Sequence, residues 1–167
     1  MVSIFSIFLA MNILYFFNLI PPIPLSLKDG GIYHSLYRDA RGNYVVESED
    51  TGWFGFLSPH ENFHTAAGEP VYAYTSIFSP SFFNTGIIHE WQRYDEQTRV
   101  WTTVNRIILS VTGGRNGGYR TYSVKNNLLP GPWRVNVETS RGQIIGRLRF
   151  KVITVDTNPA LETIIKD

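Results

Sequence analysis

The segment WRVNVETSRGQIIGRLRFKVITV, residues 133–155, alternates apolar and polar side chains with a period of two on either side of the turn at 140–142. The apolar positions are Trp133, Val135, Val137, Leu148, Phe150 and Val152. This spacing predicts two half-buried antiparallel strands with one face towards a core. A register slip of one residue would bury arginine and lysine side chains, so the register is strongly specified.

The same period continues towards the N-terminus. We predict a hairpin over 32–39 and 43–49, a central strand over 71–78, a second hairpin over 87–94 and 99–111, and a strand over 119–125. Seven to eight short strands predict an all-β fold, an immunoglobulin-like β-sandwich over residues 25–155. Residues 50–69 are expected to be irregular. In the C-terminal tail, 156–167, Asn158 and Pro159 predict one turn of helix.

Residues 1–24 contain no Asp, Glu, Lys or Arg. A helix of about 20 such residues matches the thickness of a bilayer's hydrocarbon core, and the prolines at 21, 22 and 24 would end it. We therefore predict one transmembrane helix with a Pro-rich exit over 1–24. A cleaved signal peptide is the alternative, but the segment lacks a basic start and a small-residue cleavage site.

The orientation of this span is open. Lys28, Arg38 and Arg41 follow it and no basic residue precedes it, which by the positive-inside rule favours a cytoplasmic sandwich. Earlier helices of a longer multi-span protein would override that rule. We expect a membrane protein with a single span in this chain and its β-domain outside the cytoplasm.

The composition excludes several function classes. The absence of cysteine excludes disulfides, thiol catalysis and Cys-ligated metal sites. The net charge of +1 is far from the basic character of a nucleic-acid binder, so no nucleic acid partner is expected. No cofactor motif is present, and we expect no cofactor and no enzymatic activity.

Five stretches of the sequence resemble an uncharacterised bacterial family, domain-of-unknown-function family 2914. They are PPIPLSLKDGGIYH (21–34), PHENFH with GEPVYAYTSIFSP (59–80), HEW (89–91), GGRNGGYRTYS (113–123) and PGPWRVNVETSRGQIIGRLRF (130–150). Family members typically carry several membrane helices before this C-terminal β-domain. The resemblance implies a last membrane span followed by the β-domain, and it brings no established activity or site residues.

The segment His60-Glu61-Asn62-Phe63-His64 is a literal H-E-x-x-H motif. On a helix, His60 and His64 would share a face and could bind zinc, with Glu61 as general base. Ser58 and Pro59 resemble a helix start, but Gly68 and Pro70 allow only about two turns. A zinc hydrolase is therefore a minor hypothesis, and a short capped helix without metal is the favoured interpretation.

Four basic residues form what we call the cationic row: Arg134, Arg147, Arg149 and Lys151. They are expected on one exposed sheet face, where they could bind anionic lipid, an envelope glycan or another membrane protein. The alternative is a merely solvated face whose charges discourage edge aggregation. Of the aromatic residues, Trp53 and Phe56 in the irregular region are the best candidates for exposed ligand contacts.

Two further motifs have ordinary structural explanations. The glycine-rich GGRNGG segment, 113–118, lacks phosphate-loop spacing and is better explained as a turn. His89 and Trp91 share a strand face, and a hydrogen-bonded core histidine is the more common interpretation. The leading functional hypothesis is a membrane-anchored, non-catalytic binding or assembly module of the bacterial cell envelope. The alternatives are a carbohydrate-binding sandwich that uses Trp53 and the zinc hydrolase.

Overall fold

The computed structural model describes residues 2–16, 25–49, 61–79, 86–109, 119–157 and 159–166. These residues form one helix, α1 (Val2–Phe16), and eleven strands. The strands are β1 (Ser26–Tyr33), β2 (Ser35–Arg38), β3 (Tyr44–Glu49), β4 (Glu61–Thr65), β5 (Val71–Phe78), β6 (Ile87–Asp95), β7 (Val100–Leu109), β8 (Tyr119–Lys125), β9 (Gly131–Thr139), β10 (Ile144–Thr154) and β11 (Leu161–Lys166).

The strands form three sheets. A five-stranded sheet has the order β4-β10-β9-β6-β7, and a three-stranded sheet has the order β1-β5-β8. A smaller sheet has the order β11-β3-β2. All neighbouring strands are antiparallel except β4 and β10, which are parallel. The mostly β architecture, the two hairpins and the central position of β5 confirm the sequence predictions.

The main core lies between the five-stranded sheet and the β1-β5-β8 sheet. Trp91, Trp133 and Phe150 enter it from the first sheet, and Ile32 and Val71 enter it from the second. The ring of Phe150 meets that of Trp91 edge-on, with a centroid separation of 6.2 Å. Each such fully buried side chain stabilises the fold by roughly 1.5–3 kcal/mol. The two sheets therefore form a sandwich around shared apolar side chains.

The smaller sheet packs beside this sandwich. Tyr44 of β3 and Tyr74 of β5 are buried in a common cluster, with ring centroids 5.4 Å apart. At its other edge, the ammonium group of Lys166 on β11 lies 2.9 Å from the carboxylate of Asp29 on β1. Strand β11 therefore pairs with β3 in its own sheet and contacts β1 through this ion pair.

The alternation in β9 and β10 determines their two faces as predicted. The side chains of Val135, Val137 and Phe150 are fully buried. Those of Arg147, Arg149 and Lys151 on the intervening positions of β10 are exposed. Because β9 and β10 pair along their length, the two alternating patterns reinforce one another.

Three local predictions were wrong. Residues 61–65, expected in a short helix, form strand β4, which pairs with β10. The tail forms β11 along β3 instead of a helical turn, so β pairing continues beyond residue 155. The first predicted strand is interrupted by a bend at His34, which separates β1 from β2. Together these differences raise the number of described strands above the seven to eight that we expected.

Helix α1 covers the part of the predicted span that the structure describes. Its 15 residues correspond to a length of about 22 Å, which is short of a bilayer's hydrocarbon core. Within the described residues, no helix has both the length and the apolar character needed to cross a membrane.

Candidate functional site

The face of the five-stranded sheet that points away from the core, which we call the outer face, carries a grid of polar side chains. Strand register sets two rows across it. The first row is Arg106, Glu90, Asn136 and Arg147. The second row is Thr103, Gln92, Arg134 and Arg149. This is the most highly connected polar cluster among the described residues.

Glu90 lies at the centre of this grid and is buried by its neighbours. Its carboxylate accepts hydrogen bonds from the side-chain amide of Gln92, from the Thr103 hydroxyl and from the Asn136 amide, each at 2.9 Å. The guanidinium of Arg106 lies 3.8 Å away. One carboxylate therefore fixes the orientation of both amide side chains.

These amides in turn hold two arginines. Gln92 Oε1 accepts a hydrogen bond of 2.6 Å from Nε of Arg134. Asn136 Oδ1 accepts one of 3.0 Å from Nε of Arg147. Each guanidinium is thus held through Nε, and among the described residues its terminal nitrogens have no hydrogen-bond partner. Because a guanidinium carries five N–H donors, most of the donor capacity is left for a ligand.

The charges on the outer face shift one another's pKa values. Burial lowers the pKa of Arg134, and the positive charges of Arg147 and Arg149 lower it further. An anion bound between them would relieve this repulsion. The guanidinium of Arg134 also lies 4.3 Å from the ring centroid of Trp101, whose neighbour is Tyr94 at 5.2 Å.

A second carboxyl, that of Glu138, lies beside Glu90. Burial raises the pKa of Glu138, and the negative charge of Glu90 raises it further. Burial also acts to raise the pKa of Glu90, but the hydrogen bonds from Asn136 and Thr103 outweigh it and lower that pKa. Arg106 donates to Glu138 at 3.1 Å. The environment therefore keeps Glu90 ionised and disfavours the charge on Glu138.

The structure brings all four members of the cationic row together. Arg134 pairs with Arg149 across β9 and β10, and Arg147 and Lys151 flank Arg149 along β10. Side chains two apart on a strand are separated by about 7 Å, so the β10 cations form a regular line. Trp53, Phe56 and His60 lie outside the described residues.

The described part of the H-E-x-x-H motif has a different role from the one expected. On a strand, Glu61 and His64 are three residues apart and point to opposite faces, so Glu61 cannot serve a metal bound to His64. His64 Nδ1 instead lies 2.7 Å from a carboxylate oxygen of Glu49, whose other oxygen is 3.1 Å from His34 Nε2. No three His, Asp or Glu side chains of the described residues converge as metal ligands.

His89 is a hydrogen-bonded core histidine, as interpreted from the sequence. It is fully buried, its Nε2 lies 3.0 Å from Thr75 Oγ1 and its Nδ1 lies 2.8 Å from Ser123 Oγ. Burial lowers its pKa to about 4. Its side chain points into the sandwich and does not reach the outer face.

Sequence reasoning missed the residues that organise the site. Gln92 and Asn136 looked like ordinary solvent-facing positions, and Trp101 was not singled out among the rings. The signal available for Trp101 was its place two residues before Thr103, which puts a large ring on the same strand face as a polar side chain. The pairing of Gln92 with Arg134 depends on the register between β6 and β9, which no local pattern shows.

Comparison with protein families gives one match. Residues 84–152, less than half of the chain, match the model of a family described as protein of unknown function, DUF2914. The match runs from just before β6 into β10 and includes residues 130–150, one of the five segments that resemble the family. A comparison with curated proteins gave no match.

Two solved structures show what the fold is similar to. An immunoglobulin-like protein from Pseudomonas aeruginosa aligns at 9% identity with a TM-score of 0.43, covering 80% of this chain and 99% of that one. The alkylpurine DNA glycosylase AlkC of Pseudomonas fluorescens, bound to DNA containing an abasic site analog, aligns at 9% identity with a TM-score of 0.46. That alignment covers 84% of this chain but only 33% of the glycosylase. The mostly β fold thus has an immunoglobulin-like structural neighbour, and neither similarity supports an inference about activity.

Proposed function

We propose, on the premise that residues 84–152 are a domain of the DUF2914 family, that this protein is a membrane-attached, non-catalytic binding module of the bacterial cell envelope. Its ligand is an anionic polysaccharide that lies along the outer face of the five-stranded sheet. The observation that carries this proposal is the way in which Arg134 and Arg147 are held through Nε, leaving their terminal nitrogens for a ligand.

Pre-oriented guanidinium groups favour oxyanion ligands. A guanidinium binds a carboxylate, sulfate or phosphate through two parallel hydrogen bonds, and less entropy is lost when the fork is already oriented. Arg149 and Lys151 add exposed positive charge beside this pair. The nearby carboxylates, Glu90 and Glu138, are buried under their partners, so their oxygens do not contact a bound anion.

A polysaccharide fits this surface better than a lipid headgroup does. The β10 cations are arranged in a line with a spacing of about 7 Å, which suits a linear polymer with regularly repeated charges. At one end of the outer face, the rings of Trp101 and Tyr94 supply the aromatic surface on which sugar rings pack. A lipid headgroup would need neither the line nor the rings.

Membrane attachment is proposed from the character of α1. Ile4, Phe5 and Phe8 are each about two-thirds or more exposed, and the apolar side chains are distributed around the helix. Water is an unfavourable environment for such a helix, whereas the hydrocarbon of a bilayer is favourable. Flotation of the full chain with phosphatidylcholine vesicles tests this, and loss of flotation in the double variant Ile4→Asp, Phe8→Asp is expected. A full chain that stays at the bottom of the gradient contradicts the proposal.

The ligand is tested by titrating polygalacturonate into the full chain held in a neutral detergent. We expect binding that weakens as salt increases, because the contacts are between exposed charges. Arg149→Gln should weaken binding about two- to fivefold, as exposed ion pairs contribute about 0.2–1 kcal/mol each. Arg41→Gln is the matched control, since Arg41 is an exposed arginine in the turn between β2 and β3.

Two results would overturn the polysaccharide proposal. One is equal binding by the two variants, which would mean that the cationic row is not the contact surface. The other is a loss in Arg149→Gln that appears only with vesicles containing phosphatidylglycerol, which would make the row a lipid-binding surface.

A further inference from the structure

A pocket of about 480 Å³ lies at the end of the five-stranded sheet, where the turn after β6 faces the turn before β9. Arg93, Tyr94, Asp95 and Glu96 line it from the β6 side. Pro130, just before β9, and Pro132, near its start, line it from the other side. Its volume falls within the usual range for small-molecule sites.

Arg93 supplies the hydrogen-bond donors of the pocket. Its terminal nitrogen Nη2 donates to the Pro130 carbonyl at 3.3 Å. Nε of Arg93 has no acceptor among the described residues, but it is buried by the protein, so a ligand in the pocket does not reach it. A ligand would bind the remaining N–H donors of the terminal nitrogens, because a guanidinium carries five donors in all.

The other walls supply acceptors and apolar surface. Asp95 is held in its turn by hydrogen bonds from the Thr98 hydroxyl and the Gln97 backbone N–H, which lower its pKa and keep it ionised. Glu96 is exposed next to it. The rings of Tyr94, Pro130 and Pro132 add apolar faces.

This combination selects one class of ligand. A simple anion would be repelled by Asp95 and Glu96, and an apolar molecule would leave the terminal donors of Arg93 and both carboxylates without a partner. A sugar ring meets both requirements, because each hydroxyl can accept from Arg93 or donate to a carboxylate. Its C–H faces can also pack on the tyrosine and proline rings.

The pocket is continuous with the outer face. Tyr94 contacts Trp101 on that face, and Pro132 pairs with Lys151 of the cationic row across β9 and β10. A polymer chain lying along the row would therefore reach the pocket at the end of the sheet.

We infer that this pocket is a subsite for one sugar unit of the bound polysaccharide, which is recognised through its hydroxyl groups by Arg93, Asp95 and Glu96. The inference deepens the proposed function and rests on it for the rest of the polymer. It divides recognition into two parts: the cationic row binds the charge of the polymer, and the pocket binds an uncharged sugar ring.

The test compares an acidic and a neutral probe, an oligogalacturonate hexamer and cellohexaose, titrated calorimetrically into the full chain in neutral detergent. Arg93→Lys keeps the positive charge but removes the terminal guanidinium donors, and should weaken cellohexaose binding about tenfold. Glu96→Gln should weaken cellohexaose binding about two- to fivefold, and neither variant should weaken binding of the acidic probe, whose charged rings are repelled from the pocket. Glu162→Gln is the matched control, because Glu162 is an exposed glutamate on β11. Thermal unfolding of each variant separates lost binding from lost fold, and the side chain of Glu96 is exposed.

The outcomes separate the two proposals. Loss of cellohexaose binding in the Arg93 and Glu96 variants supports the subsite, and unchanged cellohexaose binding in both overturns it. If the pocket variants bind normally while Arg149→Gln still weakens the acidic probe, the subsite is refuted and the proposed function stands. If Arg149→Gln leaves binding of the acidic probe unchanged, the cationic row has no part in binding and the proposed function fails.

Discussion

The hydroxyl oxygen of Ser123 lies 2.8 Å from Nδ1 of His89 and connects the two main sheets through the middle of the core. The same oxygen accepts a 3.0 Å hydrogen bond from the indole N–H of Trp91. Since Trp91 and His89 belong to β6 and Ser123 to β8, one small hydroxyl satisfies two large buried side chains of the facing sheet. Thr75 of β5 completes the arrangement at the other imidazole nitrogen.

Removing this hydroxyl should be costly. In Ser123→Ala, the indole N–H of Trp91 and Nδ1 of His89 both lose their partner in the core, and we expect the free energy of unfolding to fall by about 1–3 kcal/mol. Chemical denaturation followed by tryptophan fluorescence measures the loss. Ser26→Ala, at an exposed position of β1, serves as the control and should change stability little. A Ser123 variant as stable as this control would show that the hydroxyl is not needed.

Stability should decrease in mildly acidic solution because of His89. Burial holds its pKa at about 4, below the ordinary 6.5, so the folded state resists the proton that the unfolded state accepts. This contribution to stability is complete above pH 6.5 and declines as the pH falls towards 4. The decline is up to about 1.4 kcal/mol per pH unit.

The contribution of His89 can be separated from that of the other titrating groups. In His89→Asn, the unfolding free energy should decline less steeply between pH 6.5 and 4 than in the parent protein. The difference in slope is up to about 1.4 kcal/mol per pH unit, which corresponds to one bound proton. Denaturation curves at a series of pH values give both slopes. Identical slopes would mean that another group dominates the pH dependence.

Most of the β-domain could be predicted from the sequence, because the alternation of apolar and polar residues within a strand determines which of its faces is buried. The alternation in residues 133–155 predicted β9, β10 and the exposure of Arg147, Arg149 and Lys151. It failed for β11, because Asn158 and Pro159 are a local helix-start signal, whereas the actual structure depends on pairing with β3, more than a hundred residues earlier. It also failed for β4, whose partner β10 is likewise far away along the chain.

The candidate site was only partly predictable for a related reason. The cationic row could be predicted from the alternation within β9 and β10, but the amides that hold its arginines are Gln92 of β6 and Asn136 of β9. Their contacts depend on which residues face each other across strands, including the irregularity between Trp91 and Gln92. The pocket beside Arg93 likewise depends on two turns that meet only in the folded chain.

Replacement of Glu90 and of Glu138 by glutamine should change the stability of the protein differently. In Glu90→Gln, the new N–H₂ replaces one of the two accepting oxygens and would face either the amides of Asn136 and Gln92 or the Thr103 hydroxyl, so a loss of about 1–3 kcal/mol in unfolding free energy is expected. In Glu138→Gln, an oxygen remains for Arg106 and the repulsion from Glu90 disappears, so stability should be unchanged or slightly higher. Thermal unfolding at neutral pH compares the pair. Equal destabilisation by the two substitutions would contradict this account.

The close approach of β1 and β10 depends on a glycine. A Cβ at Gly146 would lie 2.9 Å from Cβ of Leu27, closer than packed atoms approach. Gly146→Ala should therefore destabilise the protein by about 1–3 kcal/mol. At Gly86 the nearest atom would be 3.5 Å away, an ordinary contact, so Gly86→Ala is the matched control. Denaturant midpoints of the two variants test this, and a Gly146 variant as stable as the control would contradict it.

The parallel pairing of β4 with β10 also affects how quickly this protein can reach its native state. The pairing of Phe63 with Val152 closes a loop that contains most of the domain's chain. The conformational entropy of that loop must be lost before the pairing stabilises the fold. Chains dominated by such distant contacts fold in about milliseconds to seconds, far more slowly than helical bundles of similar size. Until β4 docks, one edge of β10 has unpaired backbone groups, so the interval before docking is when the chain is most exposed to self-association.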